Sequence, residues 1–351
     1  MDIIINLLVF ILVLGIIVLV HEFGHFIFAK MNGVYVYEFA LGMGPRICGF
    51  KGKETEYNIR AIPIGGFCQL AGEDLDSDDS NNVPKERRLQ SKKAWQRFLI
   101  MAFGPLNNFI LAIILLFFIA LIWGGTTMNP VITSIEGDSV SAKAGLEKGD
   151  TILKINGHKI TTSDDISLYL AIANPEKKNT IEVKKSNGDK ETYQIKPKKV
   201  EKKGKTSYVY GIGIKQKRTH GLGNSFAYTY KKTKSIFKQM WVTVSTLVTG
   251  GIKLSQLSGP VGIYSIVGEQ RSGGVANVIY LIAFLSINVG FINLLPIPAF
   301  DGGHILFILI ELIKGSPVKP EIENKIHTIF LILLMLLMIV ITFNDILRLF
   351  K

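Results

Sequence analysis

His21 and His25 stand four residues apart with Glu22 beside the first of them, in the stretch HEFGH. On a helix this spacing puts both imidazoles on one face, one turn apart, close enough to grip one ion. A neighbouring glutamate can take a proton from a metal-bound water. These residue types at this spacing suit a zinc ion and the hydrolysis of peptide bonds. A catalytic zinc keeps three protein ligands and one open position, so a third ligand must come from elsewhere in the chain. The stretch NLLPIPAFDGGH, residues 293–304, offers Asp301. Pro296 and Pro298 ahead of it remove backbone donors and stop a helix. Asp301 is either the third ligand or the cap of a helix beginning near His304. His304 is itself a rival ligand, because imidazole also suits zinc.

The element that carries HEFGH is unusual for a hydrolytic motif. It follows residues 3–20, which hold no charge and a single amide. Three further windows, 98–123, 275–295 and 326–343, also reach or approach the ~20 apolar residues that a bilayer demands. Across all 351 residues, 48% are hydrophobic and the mean hydropathy is +0.31. That composition points to a membrane protein with a soluble part. The first window lacks the basic start and the small-residue cleavage site of a secretory signal, so it is expected to stay. Irregular backbone around the prolines at membrane depth is tolerated only where it is buried in protein or lines a wet cavity. Three ionisable groups in five residues at such depth are costly, which argues against two histidines that are merely satisfied by neighbours.

The net charge is +12. The densest basic run, 184–218, holds twelve basic and three acidic residues and reads as a solvated face, or one drawn to anionic headgroups. No nucleic-acid-reading surface is expected. Residues 30–97 carry eleven Lys or Arg, whereas Met1 and Asp2 carry none. The positive-inside tendency then places the N-terminus outside and this loop in the cytosol, with the HEFGH motif at the cytosolic side. Arg348 and Lys351 pull weakly the other way. Cys48 and Cys68 fall in the same loop, where thiols stay reduced.

Residues 128–215 read as a small β-rich module: VITSI and TILKIN alternate as strands do, and Asn156-Gly157 and Asn187-Gly188 mark tight turns. Residues 219–270 mix aromatics with lysines and read as amphipathic helices at the outer interface, with a Gly/Pro break at LSGPVGI. Gly42-Met43-Gly44 lacks the βαβ context of a dinucleotide site and reads as a tight turn. His158, His220 and His327 are assigned no chemistry.

Taken together, these motifs resemble the site-2 protease family, in its RseP/RasP-type group of bacterial membrane zinc endopeptidases with a single PDZ domain. VITSIEGDSVSAKAGLEKGDTILKINGHKI resembles the start of a PDZ domain. FALGMGPRICGFKGKETEYNIRAIPIGGFCQLAGED resembles the group's cytosolic membrane-associated β-hairpin, and FGPLNNFILA its second-span motif, with Asn108 at the usual asparagine position. The resemblance implies His21, His25 and Asp301 as zinc ligands, Glu22 as general base, Asn293 near the substrate or transition state, and His304 as a non-ligand. The family usually reads Leu-Asp-Gly where Phe300 precedes Asp301 here; both are large and apolar.

The fold implied is a polytopic α-helical membrane protein. Transmembrane helices are expected at 1–30, 98–123, 275–304 and 326–343, with a cytosolic hairpin and loop at 31–97 and an inserted extracytoplasmic PDZ-like α+β domain at 128–215. One Zn2+ per chain is the expected cofactor. Single-span membrane proteins, such as anti-sigma factors or signal-peptide remnants, are the expected substrates in a bacterial cell membrane. A peptide end at the PDZ-like domain is a further expected partner. A substrate helix must unwind before cleavage, and the 57–69 segment, with YNIRAIPIGG presenting its edge, is expected to receive it as an added strand. The alternatives are a PDZ scaffold whose metal site is structural, and a transporter, for which no internal repeat is visible.

Overall fold

The first apolar run holds no charge and no proline, and it continues through HEFGH as one helix, α1 (Asp2–Met31). Asp2 favours its N-terminus and Lys30 its last turn, as the helix dipole prefers. The structure is a computed structural model that describes residues 2–73, 83–202, 205–251 and 257–349. Gly33, at φ 68°, turns the chain out of α1 into two long antiparallel strands, β1 (Val36–Lys51) and β2 (Glu56–Leu70).

These two strands fold on themselves. Residues 38–41 pair with 56–59 on one side and with 66–69 on the other, and residues 46–51 pair back onto 56–60. The resulting ribbon runs 46–51, 56–60, 38–41, 66–70, which leaves 66–70 and 46–51 as its edges. This corrects the expectation that YNIRAIPIGG presents an edge. Tyr57, Asn58 and Ile59 each pair on both sides, so their backbone groups are already used. The free edge near the site is 66–70.

The chain next forms α2 (Ala94–Ile119), which carries Pro105 and ends in a wider turn over Ala120–Gly124. It then enters a second compact unit, residues 116–253, distinct from the unit formed by 1–115 and 254–351. Within this second unit come β3 (Gly125–Thr126), β4 (Ser134–Ile135), α3 (Val140–Ala144), β5 (Thr151–Ile155), β6 (His158–Lys159), α4 (Ser163–Ile172), β7 (Asn179–Lys184) and β8 (Lys190–Ile195). They are followed by β9 (Lys198–Lys202), β10 (Lys205–Val209), β11 (Ile212–Gly213), β12 (Arg218–Thr219) and α5 (Leu222–Val248). A four-stranded sheet in the order β6-β5-β7-β8 covers a core of Ile132, Ile152, Ile155, Ile166, Ile181 and Val183. Asn156 adopts φ 49° and Gly157 φ 82° to close the β5–β6 turn.

The start of α4 is held by one buried carboxylate. Asp165 Oδ2 accepts from the backbone N–H of Thr161 (2.7 Å) and Thr162 (3.0 Å) and from the Thr161 hydroxyl, and pairs with Lys238 of α5 at 3.0 Å. Burial raises its pKa, but these donors outweigh burial and hold it below the usual carboxylate range. Asp165→Ala is expected to cost about 3 kcal/mol, the scale for breaking a buried pair and its cap. Hydrogen exchange across 151–195 would record the loss as faster amide exchange. Because the folded-state value is depressed, this stabilisation is full above the unfolded pKa near ~4 and disappears as pH falls through the folded value.

Back in the first unit, Pro260 occupies the first turn of α6 (Pro260–Ser272). The expected Gly/Pro break is therefore a helix start, where the missing proline N–H costs nothing. Helix α7 (Val275–Asn293) ends ahead of Pro296 and Pro298, and α8 (Asp301–Lys314) begins afresh. The third span thus stops at Asn293 rather than continuing to 304. The last helix, α9 (Pro320–Leu349), begins earlier than the apolar run that signalled it.

Among the described residues, four helices are long and apolar enough to cross a membrane: Asp2–Met31, Ala94–Gly124, Val275–Asn293 and Glu321–Arg348. One cluster, Phe10, Val267 and Leu281, joins α1, α6 and α7, and another, Val13, Ile17 and Ile282, joins α1 and α7. A third cluster, including Ala29, Val36, Leu70, Ile100 and Ile308, joins α1, the ribbon, α2 and α8.

Candidate metal centre

Helix α1 delivers His21 and His25 on one face, both buried. The Pro-rich break lets α8 begin where Asp301 meets them. Asp301 Oδ2 lies 3.1 Å from His21 Nε2 and Oδ1 lies 3.4 Å from His25 Nε2, while the two Nε2 atoms are 3.4 Å apart. Asp301 is the first residue of α8, after Phe300, and no side-chain bond caps that helix. Its carboxylate is spent on the histidines, which disfavours the capping role. Gly302 and Gly303 follow because the chain doubles back on itself: a Cβ at Gly303 would sit 2.6 Å from Pro298 Cα and 2.7 Å from Ile297 O.

These separations test whether a metal fits. Ligand atoms at ~2.1 Å around a tetrahedral zinc stand about 3.4 Å from one another. Two imidazole nitrogens and a carboxylate already hold that spacing. Asp301 Oδ2 is buried and makes no hydrogen bond despite its closeness to His21. A cation shared by the three side chains would satisfy it. The donor set suits zinc.

The ligand imidazoles are themselves oriented. His25 Nδ1 donates to Ile100 O of α2 at 2.8 Å, which leaves Nε2 with its lone pair toward Asp301. On the other ring, the side-chain amide of Asn108 lies 3.4 Å from His21 Nδ1, and Asn108 is fully buried. Its Oδ1 has no partner in the amide orientation that points Nδ2 at the ring. Turned over, Oδ1 accepts the Nδ1–H of His21, which leaves Nε2 free for metal. The Ser286 hydroxyl of α7 donates to Asn108 O at 2.9 Å and fixes that residue's backbone.

Glu22 lines the same cavity, about 660 Å³, as the three candidate ligands. Its carboxylate accepts from the backbone N–H of Cys68, so Glu22 sits against the 66–70 edge of the ribbon. Asn293 is placed at the last position of α7, partly buried, and is absent from the residues lining this cavity. His304 does not join the cluster. It turns instead to Glu323 and His327 of α9, a grouping the sequence reading passed over because His327 was read as an interfacial residue. The Glu323-x-x-x-His327 spacing, the same one-turn interval as His21 and His25, was the available signal.

Residues 9–337 match the model of peptidase family M50. The chain is 33% identical over 420 aligned residues to the regulator of sigma-W protease RasP of Bacillus subtilis, with 98% of this chain and 99% of that protein covered. It has the same identity and coverage with the zinc metalloprotease RasP of Bacillus licheniformis. A Clostridium acetobutylicum protein whose name describes a zinc metalloprotease is 36% identical over 342 residues, covering 97% of each chain. Among solved structures, a Listeria monocytogenes PDZ domain aligns over 26% of this chain and 88% of its own at 24% identity, with a TM-score of 0.20.

Proposed function

This chain belongs to peptidase family M50 and is a multi-pass membrane zinc endopeptidase, and we propose that it cuts single-span membrane proteins within their transmembrane segments. The observation that carries this reading is the convergence of His21, His25 and Asp301 beside Glu22, in a cavity bounded by α1, the 66–70 edge of the ribbon and the first turns of α8 and α9. The relative named for regulating sigma-W makes anti-sigma factors one substrate class; signal-peptide remnants are another. The N-terminus and the PDZ-like unit lie outside the cytosol and the site opens toward it, on the strength of the basic loop at 30–97.

In this mechanism His21, His25 and Asp301 hold the zinc, which when bound supplies a water of lowered pKa and polarises the scissile carbonyl. Glu22 takes the water proton and returns it to the leaving amine. Asn108 fixes the His21 tautomer. Asn108→Ala is therefore expected to weaken zinc binding about 10- to 100-fold, read by competition with a chelator, without removing a ligand.

A helical substrate hides its amides in its own hydrogen bonds and must be drawn out. Along 66–70, alternate N–H groups face away from the neighbouring strand: Cys68 meets Glu22, and Leu70 N–H reaches Glu73 Oε2 at 3.3 Å. An extended substrate pairs there by taking the Cys68 and Leu70 N–H groups from these two carboxylates, which brings its scissile bond to the metal site and frees Glu22. The test uses fluorogenic transmembrane peptides with the full-length enzyme in detergent. N-methylation of backbone amides flanking the scissile bond should lower cleavage at least tenfold; equal turnover of methylated and unmethylated peptides would rule out strand addition. In the second unit, a cleft of about 600 Å³ beside α4, lined by Ile135, Leu170 and Ile212 among others, is the place for a peptide end at the PDZ-like domain.

A further inference from the structure

The cavity that holds the metal centre has a second polar cluster on its wall. His304 of α8 faces Glu323 and His327 of α9, and one ligand atom from each lies within 4.8 Å of the others. His304 Nδ1 is 3.3 Å from Glu323 Oε1. The imidazoles of His304 and His327 lie against each other, with ring centroids 4.2 Å apart. His327 Nε2 is buried and makes no hydrogen bond.

An ordinary ion pair accounts for only part of this. His304 and Glu323 can satisfy each other, but His327 then stacks on its neighbour with a buried nitrogen left over. A buried unsatisfied nitrogen is a costly thing to keep. A divalent cation accounts for all three side chains. It takes a lone pair from each imidazole and is balanced by the carboxylate. Two imidazoles and one carboxylate repeat the donor set of His21, His25 and Asp301, and that set suits zinc. His304 Nδ1 and Glu323 Oε1 already stand at 3.3 Å, and rotation of the part-buried His327 ring would bring its free nitrogen to the same ion. We propose that His304, Glu323 and His327 form a second zinc-type site that ties α8 to α9, separate from the catalytic ion. His304 and His327 line the cavity of the first centre, and Glu323 lines the adjoining one; resting on the proposed protease function, the second ion therefore stands at the wall of the space that the substrate must enter, and excess zinc slows turnover.

The experiment is metal counting on the full-length protein in detergent, equilibrated against defined free zinc and repeated with cobalt, whose visible absorption reports imidazole ligation. Wild type should bind two equivalents, the second more weakly. Glu323→Gln and His327→Ala should each retain only the first, and His21→Ala only the second. Inhibition by excess zinc should vanish in Glu323→Gln. A wild-type protein whose only equivalent at every zinc concentration is the one lost in His21→Ala overturns the proposal, as does an unchanged second equivalent in both Glu323→Gln and His327→Ala. Glu323→Gln preserves shape, so a folding defect confined to His327→Ala leaves the answer intact. Loss of the His21-dependent equivalent alone would count against the first centre and not against this one.

Discussion

Glu22→Gln should lower the turnover of a transmembrane peptide by between about a hundred- and ten-thousand-fold, the usual range for removing a general base, and should leave zinc content unchanged. Glutamine has the same length and keeps an acceptor for the Cys68 N–H, so the side chain stays against the ribbon edge. What it lacks is a site for the water proton. Glu22 is also not among the three donors that converge, so the metal stays bound. Single-turnover assays and zinc analysis on the same preparation separate the two effects. Equal cleavage by both proteins would remove Glu22 from the chemistry. Loss of zinc together with activity would make it a ligand instead.

Gly104→Ala should be nearly as damaging, although Gly104 is neither ligand nor base. The added methyl would fall directly on the imidazole of His25, with Nε2 the nearest atom. Gly24 makes the reciprocal approach, because a Cβ there would collide with the Phe103 backbone carbonyl. Helices α1 and α2 therefore touch backbone to backbone at the level of the metal centre. Neither clash lies at the tip of a flexible side chain. His25 is held by Ile100 O, and moving it breaks that bond. The expected outcome is loss of at least one metal-binding side chain from the centre, with zinc affinity down more than tenfold and activity down in proportion. Gly15→Ala, where nothing lies within 4 Å of the added carbon, should be close to neutral. Metal titration and peptide cleavage on both variants would check the contrast.

The chemistry was more legible in the sequence than the architecture that serves it. HEFGH announced its own geometry, because helical spacing converts directly into a shared face. The proline break before Asp301 was equally plain, since two prolines must end a helix. The ribbon was harder. The family resemblance implied a β-hairpin at 39–74, but not that 38–41 would pair on both sides and push Tyr57–Ile59 into the interior of the sheet. Register depends on where bulges fall, and no local pattern fixes that. The start of α9 was missed because Glu321, Glu323 and Lys325 lower the hydropathy of its first turns, and the same charged turns carry two members of the His304 cluster. Asn108 was marked by motif alone; its contact with His21 arises from helices 87 residues apart in sequence, a separation that periodicity does not read.

The last helix is fastened at its two ends and bare between them. Near its C-terminus, Asp345 accepts from the backbone N–H of Gly259 and of Gly262, each at 2.8 Å, and near its start Glu323 meets His304. Glu323 and Asp345 are separated by about 33 Å of helix, close to the ~30 Å thickness of a bilayer's hydrocarbon layer. The helix is thus a gauge of bilayer thickness. A thinner bilayer favours tilt and a thicker one draws the helix upright, and either strains both fastenings together. One of them sits three residues from Asp301, so acyl-chain length becomes a variable that the metal centre can feel.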